Sequence, residues 1–181
     1  MKPVALQTAR LSLDQPTPAD VDPVTEYCQD SVFETYLTTP WPYRRENAVE
    51  FLIGYVPDAW QLGAEFTWVI RRNGEPLGLI GFRTQRRDIG FWIGAPHRGN
   101  GYMTEATNAV LDWLFQEGHD NILWECFLGN VQSAAVARKV GFTFTGVAGS
   151  LVEARDGSHP PGWHGTIAKA DSREPKPGWP A

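Results

Sequence analysis

Between Pro96 and Ala106 the chain reads PHRGNGYMTEA. Gly99 and Gly101 stand two apart behind the basic pair His97–Arg98, and a helix-forming string follows at once. The first turn of a helix carries unpaired N–H groups and a partial positive charge. Glycines let an anion approach the backbone and relieve the dihedral strain of the turn. With Arg98 and His97 adding charge, the loop suits a phosphate, and a pyrophosphate would use several N–H groups at once. A second polar pair, Asn130 and Ser133, lies three apart on an expected helix and therefore on one face. Asn130 opens that helix as an N-cap. Two carboxylates, Asp88 and Glu125, sit on otherwise apolar strand segments, which is unusual. For each, a salt bridge to Arg83 or Arg86 is the plainer role.

These residues need elements to place them. Residues 66–72 and 75–83 form two strands joined by Asn73-Gly74, a strong hairpin signal. Residues 87–93 form a strand stopped by Gly94-Ala95-Pro96. In the helix after the glycine loop, Met103, Ala106, Val110 and Leu114 recur at helical spacing, and Gly118 sits at the C-terminal cap. Residues 121–128 are a mostly apolar run, as in a strand buried on both faces. A helix over 130–140 ends at Gly141, with Ala137 and Val140 continuing the Asn130–Ser133 face inward. Strands resume at 142–147 and 162–168. Upstream, residues 9–13 alternate as a first strand, and Thr17 caps a helix with Pro18 at its first position. Residues 31–37 form a short helix. Residues 44–60 form a longer one with Val49, Leu52, Ile53 and Val56 on one face, which Pro57 should kink or end. Strands linked through a helix are parallel, with a right-handed crossover. The expected fold is therefore α+β, with a mixed sheet whose parallel pair is 87–93 and 121–128. Ligands bind beyond the carboxyl ends of such strands, where the loops 94–101 and 129–133 converge.

The 181 residues suit one domain over 1–181, with an irregular proline-rich tail over about 170–181. A net charge of −5 argues against a broad nucleic-acid footprint. No apolar run reaches membrane-spanning length, and MKPVALQTAR has no apolar core of signal-peptide length. Cys28 and Cys126 are the two cysteines. They fit a reducing, cytoplasmic setting and supply no metal-ligand cluster, so no metal is expected.

The loop Arg98-Gly99-Asn100-Gly101-Tyr102-Met103 resembles the phosphate loop of the GNAT superfamily of acyl-CoA-dependent N-acyltransferases. DIGFWIGAPHRGNGYMTEA followed by GNVQSAAVARKVGF is similar to its RimJ/RimL-like, ribosomal-protein N-terminal acetyltransferase-like branch, as are RLSLDQPTPAD and the PWPY loop. The likeness covers residues 10–168 and is weakest after Gly149. It implies the GNAT fold: about seven strands, mostly antiparallel, a splayed central parallel pair, and helices on both faces. It also implies a ternary-complex reaction in which a primary amine attacks acetyl-CoA, the cosubstrate, directly. Backbone N–H groups of Arg98, Gly99, Asn100, Gly101, Tyr102 and Met103 would hold the pyrophosphate. The backbone at Trp92 and Ile93 would pair with the pantetheine arm and polarise the thioester. Asn130 would bind the same arm, and Ser133 would protonate the departing thiolate. Met103 stands where the family favours a smaller residue.

An amine is mostly protonated at neutral pH, so something must take a proton. Asp88, Glu125 and His164 are the candidates, beside a water relay. Trp41, Tyr43 and Trp60 lie along the amine side, with packing the expected role of at least two. The expected acceptor is a protein N-terminal α-amine or a small-molecule amine, with neither nucleic acid nor membrane as partner. The proline-rich tail and spare tryptophans would allow a homodimer. Two other functions fit the same residues: a non-catalytic acyl-CoA sensor, or an acyltransferase using a larger donor such as succinyl-CoA.

Overall fold

The computed structural model describes residues 2–180; Met1 and Ala181, the first residue of the N-terminal stretch and the last of the proline-rich tail, lie outside them. The expected first strand is a small hairpin, β1 (Leu6–Gln7) and β2 (Ser12–Asp14). It is turned by the Thr8 N–H on the Leu11 carbonyl at 2.9 Å. Thr17 and Pro18 open a 3-10 turn over Pro18–Asp20 that runs into α1 (Val21–Tyr27), and α2 (Ser31–Tyr36) follows.

The next helix differs from expectation. It starts as α3 (Arg45–Val49), widens to a π-helix over Glu50–Tyr55, and continues as α4 (Val56–Leu62) to a left-handed cap at Gly63. Pro57 neither ends nor breaks it, because the proline follows directly on the wide turn, where a missing N–H is tolerated at the new segment's start. The wide turn also resets the phase. Ala48, Leu52, Val56 and Trp60, four apart, are buried, with Ala59 beside the last of them. Val49 and Ile53, expected on the inner face, are more than a third exposed.

The remaining elements are β3 (Glu65–Arg72), β4 (Glu75–Arg83), β5 (Asp88–Ile93), α5 (Tyr102–Gln116), β6 (Asn121–Phe127), α6 (Val131–Lys139), β7 (Thr143–Gly149) and β8 (Pro161–Ala168). Eight strands, one more than expected, form a single sheet in the order β1-β2-β3-β4-β5-β6-β8-β7. Every neighbouring pair is antiparallel except β5–β6. Helices cover both faces. Phe66, Trp68, Ile80, Phe82 and Ile89 pack with α5 on one face, while Val69 and Leu79 pack with α1, Phe33 and Leu52 on the other. Alternation along the strands therefore assigns Glu65, Thr67, Gly81, Gly90 and Trp92 to this second face.

The tail is irregular but anchored. Arg173 pairs with Asp112 at 2.7 Å, and the Trp179 ring packs against Trp124 and Phe144, each at 5.4 Å.

Candidate active site

The parallel pair begins correctly and then fails. Asp88 is in register with Leu123 and Ile89 with Trp124, and the ladder stops there. Beyond these residues the strands part into a wedge. The alternation of an antiparallel ladder decides which groups face it. Gly94 donates its N–H to the Leu77 carbonyl of β4 at 2.8 Å. In that register Trp92 bonds to Leu79, and the groups of Phe91 and Ile93 turn toward β6. This corrects one expectation: the Trp92 main chain is taken by β4, and Phe91 joins Ile93 at the gap. Trp92 brings its ring instead, set edge-on to Phe33 with centroids 5.2 Å apart.

The glycine loop closes one end of the wedge. Gly99 and Gly101 have φ of 77° and 76°, the left-handed region where a side chain is strained. Gly101 is the N-cap of α5, and the first intrahelical donor is Glu105, whose N–H meets the Gly101 carbonyl at 3.1 Å. The N–H groups of Tyr102, Met103 and Thr104 therefore have no partner inside the helix. Their side chains do other work: Tyr102 and Met103 are buried in the core. Asn100 bonds back to the carbonyls of His97 and Arg98. Arg98, expected to add positive charge, uses it on Asp30 at 2.8 Å and caps the end of β5 through Ile93 O. His97 bonds Tyr27 Oη at 2.8 Å. Arg10 clamps the loop from outside, pairing with Glu105 at 2.6 Å and donating to Asn100 O at 3.1 Å. What the loop presents is backbone.

The other arm of the wedge carries Asn130 and Ser133. Asn130 caps α6, its Oδ1 accepting the Ser133 N–H at 3.1 Å, so its amide N–H groups remain free to donate. Ser133 Oγ accepts the Trp124 indole N–H at 3.3 Å. Beside them, burial pushes the Cys126 thiol up to about 12.

Two cavities meet at this point. One, about 390 Å³, is lined by Ile93, Gly99, Thr104, Ser133 and Val136 on the α5 face. The other, about 590 Å³, is lined by Tyr43, Glu65, Arg83, Glu125 and Val152 on the opposite face. Phe91, Trp92, Asn130 and Ser133 line both, at the wedge.

The carboxylate candidates lie close together. Asp88, 1% exposed, takes Arg83 through two bonds of 2.9 and 2.6 Å and Arg86 at 2.8 Å. Glu125 takes Arg86 at 2.8 Å and the N–H groups of Leu151 and Val152 at 2.9 and 3.0 Å. His164 stands opposite Glu125 in the β6–β8 register, with Nδ1 3.6 Å from its carboxylate. Glu125 lines the larger cavity, and Asp88 stands behind Arg83. Among the described residues, no group of three or more His, Cys, Asp or Glu side chains is placed to hold a metal ion, and no helix is long and apolar enough to cross a membrane.

Of the three front aromatics, only Tyr43 lines the cavity. Trp60 is buried, its Nε1 donating to the Thr67 carbonyl at 2.9 Å, and Trp41 packs beside Tyr43. Sequence reasoning missed Tyr36, whose hydroxyl bonds Gly129 O at 3.2 Å and roofs the wedge. It also missed Glu65 and Tyr55, 2.8 Å apart. Burial, with Glu65 alongside, pushes the Tyr55 phenol up to about 12. Neither has a local signal, since the π-turn that aims Tyr55 shows only in three dimensions.

A family model described as an acetyltransferase (GNAT) domain matches residues 10–143. The ribosomal-protein-serine acetyltransferase of Escherichia coli (strain K12) is 28% identical over 92 residues, 48% of this chain and 51% of that protein. The chain thus spans about half the length of this curated relative. Among solved structures, RimJ of Mycobacterium smegmatis in complex with CoA-disulfide superposes with a TM-score of 0.80 at 19% identity, covering 93% of this chain and 90% of that one. The microcin C7 self-immunity acetyltransferase MccE, in complex with acetyl-CoA and AMP, gives 0.76 at 20% identity over 89% and 93%. At such identities the likeness concerns the fold.

Proposed function

The chain belongs to the GNAT acetyltransferase family, and from that premise we propose that it transfers an acetyl group from acetyl-CoA directly to a primary amine in a ternary complex. The observation that carries this reading is the wedge: pairing of β5 and β6 ends after two positions, and the glycine loop and the Asn130–Ser133 turn meet at its open end. Acetyl-CoA, as substrate, supplies a thioester whose carbonyl carbon the amine attacks, the C–N bond forming as the C–S bond breaks.

The chain's own groups divide the work. Backbone N–H groups of the loop from Arg98 through Thr104 receive the pyrophosphate, in a site open enough that nothing lies within 4 Å of where a Gly99 side chain would start. Phe91 and Ile93 offer strand-like hydrogen bonds to the pantetheine arm, with the Asn130 amide as a further donor. Ser133, already accepting from Trp124, gives its proton to the leaving sulfur and is restored by the second proton that the nitrogen sheds as the amide forms. Glu125, through water, takes the proton that the incoming ammonium sheds, with His164 as the next station. Asp88 holds Arg83 and Arg86 in place. The acceptor is a protein N-terminal α-amine, in keeping with the names of the relatives, or a small-molecule amine, and the setting is cytoplasmic.

The test is thiol release from acetyl-CoA and from succinyl-CoA over a panel of amines, run beside a thermal-shift titration with CoA. Saturable release with acetyl-CoA supports the reading. A thermal shift without release across the panel points to the sensor function. Absence of both removes the CoA assignment, since a ligand of the native state must raise its melting temperature.

A further inference from the structure

The proposed function brings the amine to the wedge through the larger cavity, of about 590 Å³, and the role assigned here to Glu65 rests on that route. Most charge around the cavity cancels. Arg83, Arg86, Asp88 and Glu125 pair among themselves. Glu65, half-buried in the cavity floor, makes no close ion pair among the described residues. Arg83, opposite it in the β3–β4 register, acts on it from a distance while its guanidinium bonds Asp88, and the cavity's other unpaired carboxylate, Glu50, is exposed. Its Oε1 accepts from Thr67 Oγ1 at 3.0 Å and its Oε2 from Tyr55 Oη at 2.8 Å. Two hydroxyls fix its direction and leave the outward lone pairs of both oxygens unused.

The sheet beneath it is cleared. A Cβ at Gly81 would stand 2.9 Å from Glu65 Oε1, so the carboxylate can lie over β4 only because residue 81 has no side chain. Gly81 is in register with Gly90 of β5, where the Arg83 guanidinium lies in the same way, its charge held by Asp88. From Glu65 to the wedge there is then a floor of two glycines with one neutralised cation on it. The span is one strand spacing to β5 and about as much again to the middle of the gap, about 10 Å in all. A fixed carboxylate in a partly dry cavity is costly unless a cation meets it.

We propose that Glu65 is a specificity residue that receives a second cationic group of the acceptor, so that the preferred substrates are dicationic amines. One nitrogen is acetylated at the wedge while a second positive charge, about 10 Å away, rests on Glu65. A polyamine and a peptide N-terminus followed by a basic side chain share this chemistry.

The experiment compares matched pairs on the full chain. One arm uses α,ω-diamines of increasing length against n-alkylamines of equal length. The other uses peptides with the same free N-terminus and lysine or norleucine at the second position. Thiol release gives kcat and KM, and calorimetry in the presence of CoA gives binding without turnover. The expected result is a dication preference of at least roughly tenfold, the size of a charged hydrogen bond. It should appear in KM more than in kcat, peak at one chain length, and shrink as salt rises. Glu65→Gln, which keeps the shape and one accepted hydroxyl bond while its amide N–H donates to the other hydroxyl, should remove most of that ratio, and Glu65→Asp should keep part of it. The arm showing the preference identifies the source of the second cation. Equal use of mono- and dications, or a preference that survives Glu65→Gln, overturns the inference. Dication binding that depends on Glu65 without turnover would sustain it while removing the enzymatic reading.

Discussion

The indole N–H of Trp124 points at Ser133 Oγ, 3.3 Å away. That contact joins the last residue of β6 paired with β5 to the first turn of α6. A hydroxyl that accepts from a fixed donor keeps its own proton to donate, and Ser133 lines the cleft that both cavities share. Ser133→Ala is expected to lower kcat by about a hundredfold, in the range of general acid–base effects, with little change in KM for acetyl-CoA. Trp124→Phe keeps an aromatic ring in the core but loses the orienting bond, and its kcat should fall between those of the parent and Ser133→Ala. Steady-state thiol release on both variants checks this, and an unchanged kcat in Ser133→Ala removes the serine from the mechanism.

Asp88 and Glu125 share one arginine but differ in what they face. Glu125→Gln should depress kcat by about a hundredfold and also lower the melting temperature, because Arg86 then keeps Asp88 alone. Asp88→Asn should lower stability and leave kcat near that of the parent. Breaking a buried ion pair costs about 3 kcal/mol or more because it leaves Arg83 uncompensated, which urea unfolding would report. If Asp88→Asn instead abolishes turnover in a fully stable protein, the roles are exchanged.

Gly99→Ala and Gly101→Ala test the backbone cradle. Gly99 has open space around it, so the cost arises from the left-handed φ and is about 1 kcal/mol. A loop that moves to relieve that strain turns its N–H groups aside. Affinity for CoA should therefore fall severalfold in a thermal-shift or calorimetric titration, while kcat at saturation changes little. Arg10→Ala, which frees the loop from Glu105 and Asn100, should move KM in the same direction.

A pH-dependent part of stability lies far from the chemistry, at the Arg71–Asp20 pair. Burial alone would raise the Asp20 carboxyl. The Arg71 guanidinium and the Thr17 donors outweigh it and hold the carboxyl below its ordinary value. A depressed folded value means stability that is present above the unfolded pKa, about 4, and lost as pH falls through the folded one. Asp20→Asn should cost about 3 kcal/mol at neutral pH. The gap to the parent should close as the pH drops below about 4, read as urea midpoints at a series of pH values.

Trp179 ties the irregular tail to the site's scaffold, since it packs on the same Trp124 that orients Ser133. Trp179→Ala should cost about 2 kcal/mol through lost apolar burial. A smaller fall in kcat should accompany it if Trp124 shifts.

Much of this molecule was legible in one dimension. The Asn73-Gly74 hairpin, the glycine pair before α5, the Asn130 cap and the strand–helix–strand order depend on local propensity and on spacing along neighbouring residues, and these survive into the fold. The candidate phosphate loop and the parallel pair could be read for the same reason. What only the tertiary structure decided depends on contacts between distant segments. The π-turn that carries the helix past Pro57 keeps Leu52 and Val56 in the core but turns Val49 and Ile53 outward, against the pattern a regular helix would show. The pairing of β4 with β5 takes the main chain of Trp92 and leaves Phe91 at the gap. Arg98 meets Asp30, Arg86 bridges Asp88 and Glu125, and Glu65 finds room only over Gly81. No periodicity announces these, because each is a choice among partners far apart in sequence that become neighbours only when the core closes.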